Sequence, residues 1–186
     1  MKIATLHLKS LSPYNQSRQH FVPRADDGKE THEDHEARTW MERGHYNQDG
    51  EAYVPPMAIK GCIASAAKML SISIPGQGKS KYTKHFLSGV MCADEMLLGV
   101  KKKDVQPQWV SCSGTGTKGQ MGVLRAFVHF PSWEGNVAVH VLDDTITKEV
   151  FTRVVKEAGS FVGIGQFRPQ TGGYFGRFEV LGIAWS

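Results

Sequence analysis

Gly163-Ile164-Gly165-Gln166-Phe167-Arg168-Pro169-Gln170-Thr171-Gly172-Gly173-Tyr174-Phe175-Gly176-Arg177-Phe178 lies between a helix-like segment and a strand-like one. Its five glycines let the backbone take positive φ and let other backbone come close. Phe167, Tyr174 and Phe175 supply stacking surfaces, and Arg168 and Arg177 supply charge that seeks phosphate. Flat rings interleaved with cations on a pliable backbone suit single-stranded nucleic acid. The competing structural reading is a tight loop that buries its aromatics against a sheet.

Upstream of the tract, Val150, Phe151, Val154 and Val155 form the apolar face of a helix over residues 146 to 158, with Asp144 or Thr145 as its cap and Gly159 as its end. Downstream, residues 176 to 184 read as a strand. Residues 123 to 130 and 136 to 142 read as two strands joined at Pro131-Ser132-Trp133-Glu134-Gly135. Pro55-Pro56 followed by Ile59, Cys62 or Ile63, Ala66, and Met69 or Leu70 predicts a helix that starts on proline. Residues 2 to 9 alternate as a strand, with Ala4, Leu6 and Leu8 on one face. The order strand, helix, strand, strand, helix, strand is the split βαβ arrangement of an α+β, ferredoxin-like (RRM-like) fold.

Two insertions interrupt that order, an arm at about residues 24–52 and a basic finger and strand region at about 73–120, within a single domain of 186 residues. The arm's centre, residues 31 to 43, fits a short helix or one side of an extended hairpin. Residues 26 to 51 hold nine acids and three bases, a net of −6, which leaves +10 for the remainder of a chain of net charge +4. A basic body with one acidic excursion is compatible with a polyanionic partner. The alternating N-terminus and the lack of a long apolar run predict a soluble, cytoplasmic protein without a membrane span. Cys62, Cys92 and Cys112 are odd in number and widely spaced, so buried thiols are expected rather than disulfides or a cysteine zinc site.

The glycine tract, placed between the last helix and the last strand, resembles the glycine-rich loop of the RAMP superfamily, the ferredoxin-like proteins of CRISPR systems. Val54-Pro55-Pro56-Met57-Ala58-Ile59-Lys60-Gly61 is similar to the start of the first helix in the backbone subunits that line guide RNA. That resemblance implies that Lys60 lies against a nucleic-acid backbone. Pro56 and Ala58 stand where that motif has a different residue pattern, the chain is short, and Arg168-Pro169 is an unusual insertion. These departures fit a compact relative, phage-borne or otherwise divergent.

Chemistry decides the reading of the other motifs. Gly78-Lys79-Ser80 is no phosphate loop, because Ser73 stands where the first glycine is required. Lys79, Lys81 and Lys84, with His85, instead charge a flexible finger that meets polyanion. His32-Glu33-Asp34-His35-Glu36 fails the zincin pattern and reads as solvated acidic surface. Arg38, Trp40 and Arg43 in the same arm suit base stacking and phosphate contact, or else anchor the arm. Tyr14, Gln16, Ser17, Arg18 and His20 combine an aromatic ring with donors after the first strand, and suit clamping a backbone or else form an ordinary polar loop. Asp143-Asp144 reads as a helix cap.

The expectation is a non-catalytic, largely sequence-independent binder of single-stranded RNA or DNA, needing no metal or cofactor. It would assemble with itself along the strand as a cooperative oligomer or filament, or join other nucleoprotein subunits. Its binding residues would be Arg18, Arg38, Trp40, Arg43, Lys60, Lys79, Lys81, Lys84, Phe167, Arg168, Tyr174, Phe175 and Arg177, with Lys60 and Arg168 or Arg177 bracketing one stretch of backbone. One alternative is a metal-independent RAMP-type endoribonuclease with His20 or His7 as base and Lys60 stabilising developing charge. Another is a structural or host-interaction protein that uses the acidic arm.

Overall fold

A computed structural model describes residues 1–25, 28–112 and 122–186. Asp26 and Asp27 of the acidic arm, and most of the glycine- and threonine-rich connection after Cys112, lie outside the described residues.

Strand β1 (Lys2–Ser10) buries Ala4, Leu6 and Leu8, as its alternation predicts. It sits inside an antiparallel sheet of order β4-β8-β1-β9, in which β4 is Val90–Cys92, β8 is Glu134–Val141 and β9 is Phe178–Trp185. Numbered by their turn in the chain, these strands lie in the order second, third, first, fourth, which is the ferredoxin-like sheet. The helix side of the sheet is apolar, with Val137, Val139 and Val141 beside the β1 leucines. Its other face presents Thr5, His7, Asn136, Ala138 and His140, and it carries no Phe, Tyr or Trp.

The second core strand is therefore β4, not the segment 123–130. That segment is a strand, β7 (Val123–Phe130), but it pairs with β2 (Tyr14–Gln16) and β6 (Gln106–Cys112) in a separate three-stranded sheet. The turn at Pro131 and Ser132 carries the chain from one sheet to the other. Ser10 and Trp133 lock this crossing, since Ser10 N–H donates to the Trp133 carbonyl at 2.9 Å and Trp133 N–H donates to Ser10 Oγ at 2.9 Å. A two-stranded sheet pairs β3 (Glu51–Val54) with β5 (Met96–Lys101).

Helix α2 (Pro56–Leu70) begins on the expected prolines, and Ile59, Cys62, Ile63, Ala66 and Ala67 face the core. Helix α4 (Lys148–Glu157) is capped by Thr147, whose side chain accepts from Val150 N–H, rather than by Asp144 or Thr145. Nor does Gly159 end it. The chain continues through a π turn, Ala158–Val162, and stops at Gly163 with φ of 70°. A Cβ at Gly159 would run into the Phe178 carbonyl, so glycine there permits close packing of helix on strand rather than termination.

The arm contains a helix, α1 (His32–Thr39), started by a capping box between Thr31 and Asp34 and followed by a 3-10 turn, Trp40–Arg43. It docks on β7. Glu36 is buried at 3% exposure, pairs with Arg43 and accepts Ala126 N–H at 3.2 Å. The lysine-rich segment after α2 is closed by Ile74 N–H to the Ser80 carbonyl at 2.9 Å and by a Ser73–Lys81 bridge, and it leads into α3 (Thr83–Gly89). No helix among the described residues is long and apolar enough to cross a membrane.

Candidate nucleic-acid interface

The glycine tract folds back on itself and is clamped at both ends. Ile164 N–H donates to the Gly176 carbonyl at 3.0 Å, Gly176 N–H to the Pro13 carbonyl at 2.6 Å, and Gln166 N–H to the Asn15 carbonyl at 3.0 Å. Two glycines are required by close approach. Gly165 and Gly176 both take positive φ. A Cβ at Gly165 would strike the Asn15 carbonyl and the Tyr14 ring, and one at Gly176 would strike the Ile164 carbonyl. The loop is thereby pressed onto β2.

Its aromatic residues divide into anchors and a free ring. Phe167, at φ of 55°, sets its ring edge-on to Phe127 at 5.3 Å, and Phe175 meets His129 at 6.2 Å. Both rings hold the loop to β7, the packing role that competes with base stacking. Tyr174 is 61% exposed and remains available. The arginines divide the same way. Arg177 donates to the Ser160 carbonyl and so ties the π turn to the loop's end. Arg168 is half-buried, with Nη1 on the Gly165 carbonyl at 3.2 Å and Nε on Gln170 Oε1 at 3.2 Å, which fixes its guanidinium across the loop.

Between this loop and the start of α2 runs a cleft of about 320 Å3. Pro55, Met57, Ala58, Gly61 and Ser65 form the helix wall, and Gly163 to Gln166 with Arg168 and Gln170 form the loop wall. Gln16, Ser17 and His45 contribute to the lining, and among the described residues no acidic one does. Gln16 is fixed, its Nε2 donating to the Tyr53 carbonyl at 2.7 Å while its Oε1 accepts His45 N–H at 2.8 Å. Burial, reinforced by the Arg18 charge, lowers the His45 pKa, so the ring is neutral at neutral pH. Cys62 at the cleft base donates to the Ala158 carbonyl at 3.4 Å, and burial pushes its thiol up to about 12, which leaves it an unreactive wall.

Gly61 is the unexpected member of this wall. It lies inside a helix and is exposed, and a Cβ there would meet nothing within 4 Å. Glycine in a helix interior costs about 0.5–1 kcal/mol relative to alanine, and no packing among the described residues accounts for it.

The remaining expected residues scatter. Lys60 does not line the cleft; it stands near the Cys92 thiol, on the side of α2 toward β4. Arg18 is exposed and lines an adjoining hollow of about 360 Å3 with Gln19, His20 and Phe21, reached from the cleft past Ser17. Arg38 pairs with Glu30 at 2.8 Å and with the Pro23 carbonyl, Arg43 is held by Glu36, and Trp40 packs half-buried against the core. These three anchor the arm. Lys79, Lys81 and Lys84 border a separate groove beyond the far end of α2. His7 pairs with Glu134 at 2.7 Å on the open sheet face, while His20 lies in the hollow, so neither is brought to Lys60. No metal-holding group of His, Cys, Asp or Glu occurs among the described residues.

Tyr14, Gln16 and Ser17 of the expected donor group do line the cleft, whereas His45, Gly61, Gln166 and Gln170 are lining residues that the sequence did not single out as binding residues. A glycine inside an apolar-periodic helix was the one local signal. The others come together only through tertiary pairing of β2 with β7 and of the loop with β2.

No family model matches the sequence, and no curated protein matches it. Among solved structures, the chain is similar to a chain of the type III-B Cmr-beta bound to cognate target RNA, with TM-score 0.56 and 13% identity over 99% of this chain and 60% of that one. It is also similar to Cmr6 from Pyrococcus furiosus, with TM-score 0.50 and 15% identity over 96% of this chain and 98% of that one. This chain thus spans 60% of the length of the first. At these identities the likeness is one of fold, the ferredoxin-like sheet and its helices.

Proposed function

We propose that this protein binds single-stranded RNA without cleaving it, seating the sugar-phosphate backbone in the cleft between the start of α2 and the glycine-rich loop. The observation that carries the reading is the cleft itself, free of acidic residues, with Arg168 pinned across one wall and the bare backbone of Gly61 on the other. A cation held in place loses little entropy on meeting a phosphate, and fixed glutamines and a hydroxyl add donors. The open sheet face lacks the rings with which RRM-type domains stack bases, so it does not compete as the platform. The fold's likeness to a chain from a complex bound to target RNA supports the same class of ligand.

Contacts to backbone rather than to base edges make the binding indifferent to sequence. One small cleft covers few nucleotides, so several copies side by side, or a place among other nucleoprotein subunits, belong to the same proposal. Fluorescence anisotropy with labelled RNA of mixed sequence tests it. Single strands should bind, duplex of equal length should bind less well, and the RNA should remain intact with or without Mg2+. Equal binding of duplex, or cleavage of the strand, overturns the reading.

A further inference from the structure

Beyond the C-terminal end of α2 lies a groove of about 580 Å3 lined by Lys79, Ser80, Lys81, Thr83, Lys84 and His85. It is built rather than loose. Tyr82 N–H donates to the Ile72 carbonyl at 3.0 Å, Ser80 N–H donates to the Gln77 carbonyl at 3.1 Å, and Thr83 Oγ1 donates to the Ala67 carbonyl at 3.4 Å. Lys79, Lys81 and Lys84 are exposed and make no ion pair among the described residues. Three uncompensated cations within six residues repel one another unless an anion joins them.

His85 completes the lining. Its Nδ1 donates to Asp143 Oδ2 at 2.6 Å, and the other oxygen of that carboxylate accepts Thr145 N–H at 2.9 Å. Asp143 is thus committed to orienting the ring, and His85 Nε2 has no protein partner among the described residues. Held by the carboxylate at Nδ1, the ring donates its Nε2–H to a phosphate oxygen as the imidazolium, a cation between two anions and beside three lysines.

The solvent face of α2 connects the groove to the cleft. Met57, Gly61 and Ser65 line the cleft at four-residue intervals, and Lys68, exposed and without an ion pair among the described residues, follows on the same face. The helix carries this face over four turns, from Pro56 to Leu70. We infer that the Lys79, Lys81, Lys84 and His85 groove is a second phosphodiester-binding site, which takes the strand after it leaves the cleft and passes Lys68. This inference rests on the proposal that the cleft holds single-stranded RNA.

Two oligouridylates, of about four and about twelve nucleotides, bracket the footprint of a small single-strand binder. The triple variant K79A/K81A/K84A should bind the short oligomer as the parent protein does. It should bind the long one about tenfold or more weakly, with a salt slope shallower by about 2 for three lost contacts to a single strand. His85→Gln should weaken only the long oligomer. The three lysines are exposed and His85 is partly buried, and unchanged circular dichroism shows that the fold is kept in each variant. If the triple variant binds the long oligomer as the parent does, the groove is not a strand site, whatever Arg168→Ala does. If it instead loses only binding to an acidic peptide, a protein partner takes the place of RNA and the inference falls. Failure of the cleft is read separately, as a short oligomer whose affinity is unchanged by Arg168→Ala.

Discussion

Arg43 and Glu36 form an ion pair at 2.5 Å with side chains only 12% and 4% exposed, and the second Glu36 oxygen accepts Ala126 N–H. The acidic arm is thereby fastened to β7 through a buried ion pair. Arg43→Ala leaves that carboxylate uncompensated, and breaking such a pair costs about 3 kcal/mol. Urea unfolding should show this loss. RNA affinity, measured where the variant is fully folded, should stay within about twofold of the parent protein.

Arg168 and Lys60, expected from sequence to bracket one stretch of backbone, face different surroundings. Arg168→Ala should weaken single-strand binding by about 1–2 kcal/mol and flatten its salt dependence. Lys60→Ala should cost less than about 0.5 kcal/mol, because its charge stands near Cys92 and outside the cleft. Arg177→Ala should lower stability instead, since it frees the Ser160 carbonyl. Equal losses of affinity for Lys60 and Arg168 would restore the bracketing arrangement.

Gly61 separates stability from function by the sign of the effect. Gly61→Ala should stabilise the protein by about 0.5–1 kcal/mol, because the new methyl group meets no neighbour and the helix interior loses its most flexible residue. The same methyl group stands in the cleft. Gly61→Leu should therefore cut RNA affinity severalfold while thermal stability stays at or above that of the parent. A Gly61→Leu protein that binds normally would place the strand elsewhere.

His45 and His129 both have pKa values lowered by burial, with the Arg18 charge adding to the effect at His45. In the unfolded chain each titrates near about 6.5. Above that value both states are neutral and the full stability is present. Below it the unfolded chain takes up protons first, and stability is lost as the pH falls toward the lowered folded values. The urea midpoint should therefore hold steady at neutral and mildly alkaline pH and decline as the pH falls below about 6.5, and His45→Gln should make that decline shallower.

The features legible in sequence were those with long or chemically marked signals. The β1 alternation, the proline-led α2, the Val150 to Val155 face of α4 and the glycine tract each span enough residues to show a period or a motif, and together they specify the split βαβ order. Strand β4 has three residues and no readable period, so the longer β7 took its place in the expected order. The site divided in the same way. Charge and aromatic character marked Arg168, Arg43 and Phe167 alike, but only tertiary packing shows that Arg43 is spent on Glu36 and Phe167 on Phe127. Gln16 and His45, far apart in sequence, are joined by one hydrogen bond.

Crosslinking shows which surface of the protein meets the strand. RNA containing 4-thiouridine, bound to the intact protein and irradiated, should attach to peptides covering residues 55–65 and 163–175, with Tyr174 among the modified positions, and Arg168→Ala should reduce that yield. Crosslinks confined to the open sheet face around His7 and His140, with none on the α2 start or the glycine loop, would contradict the account.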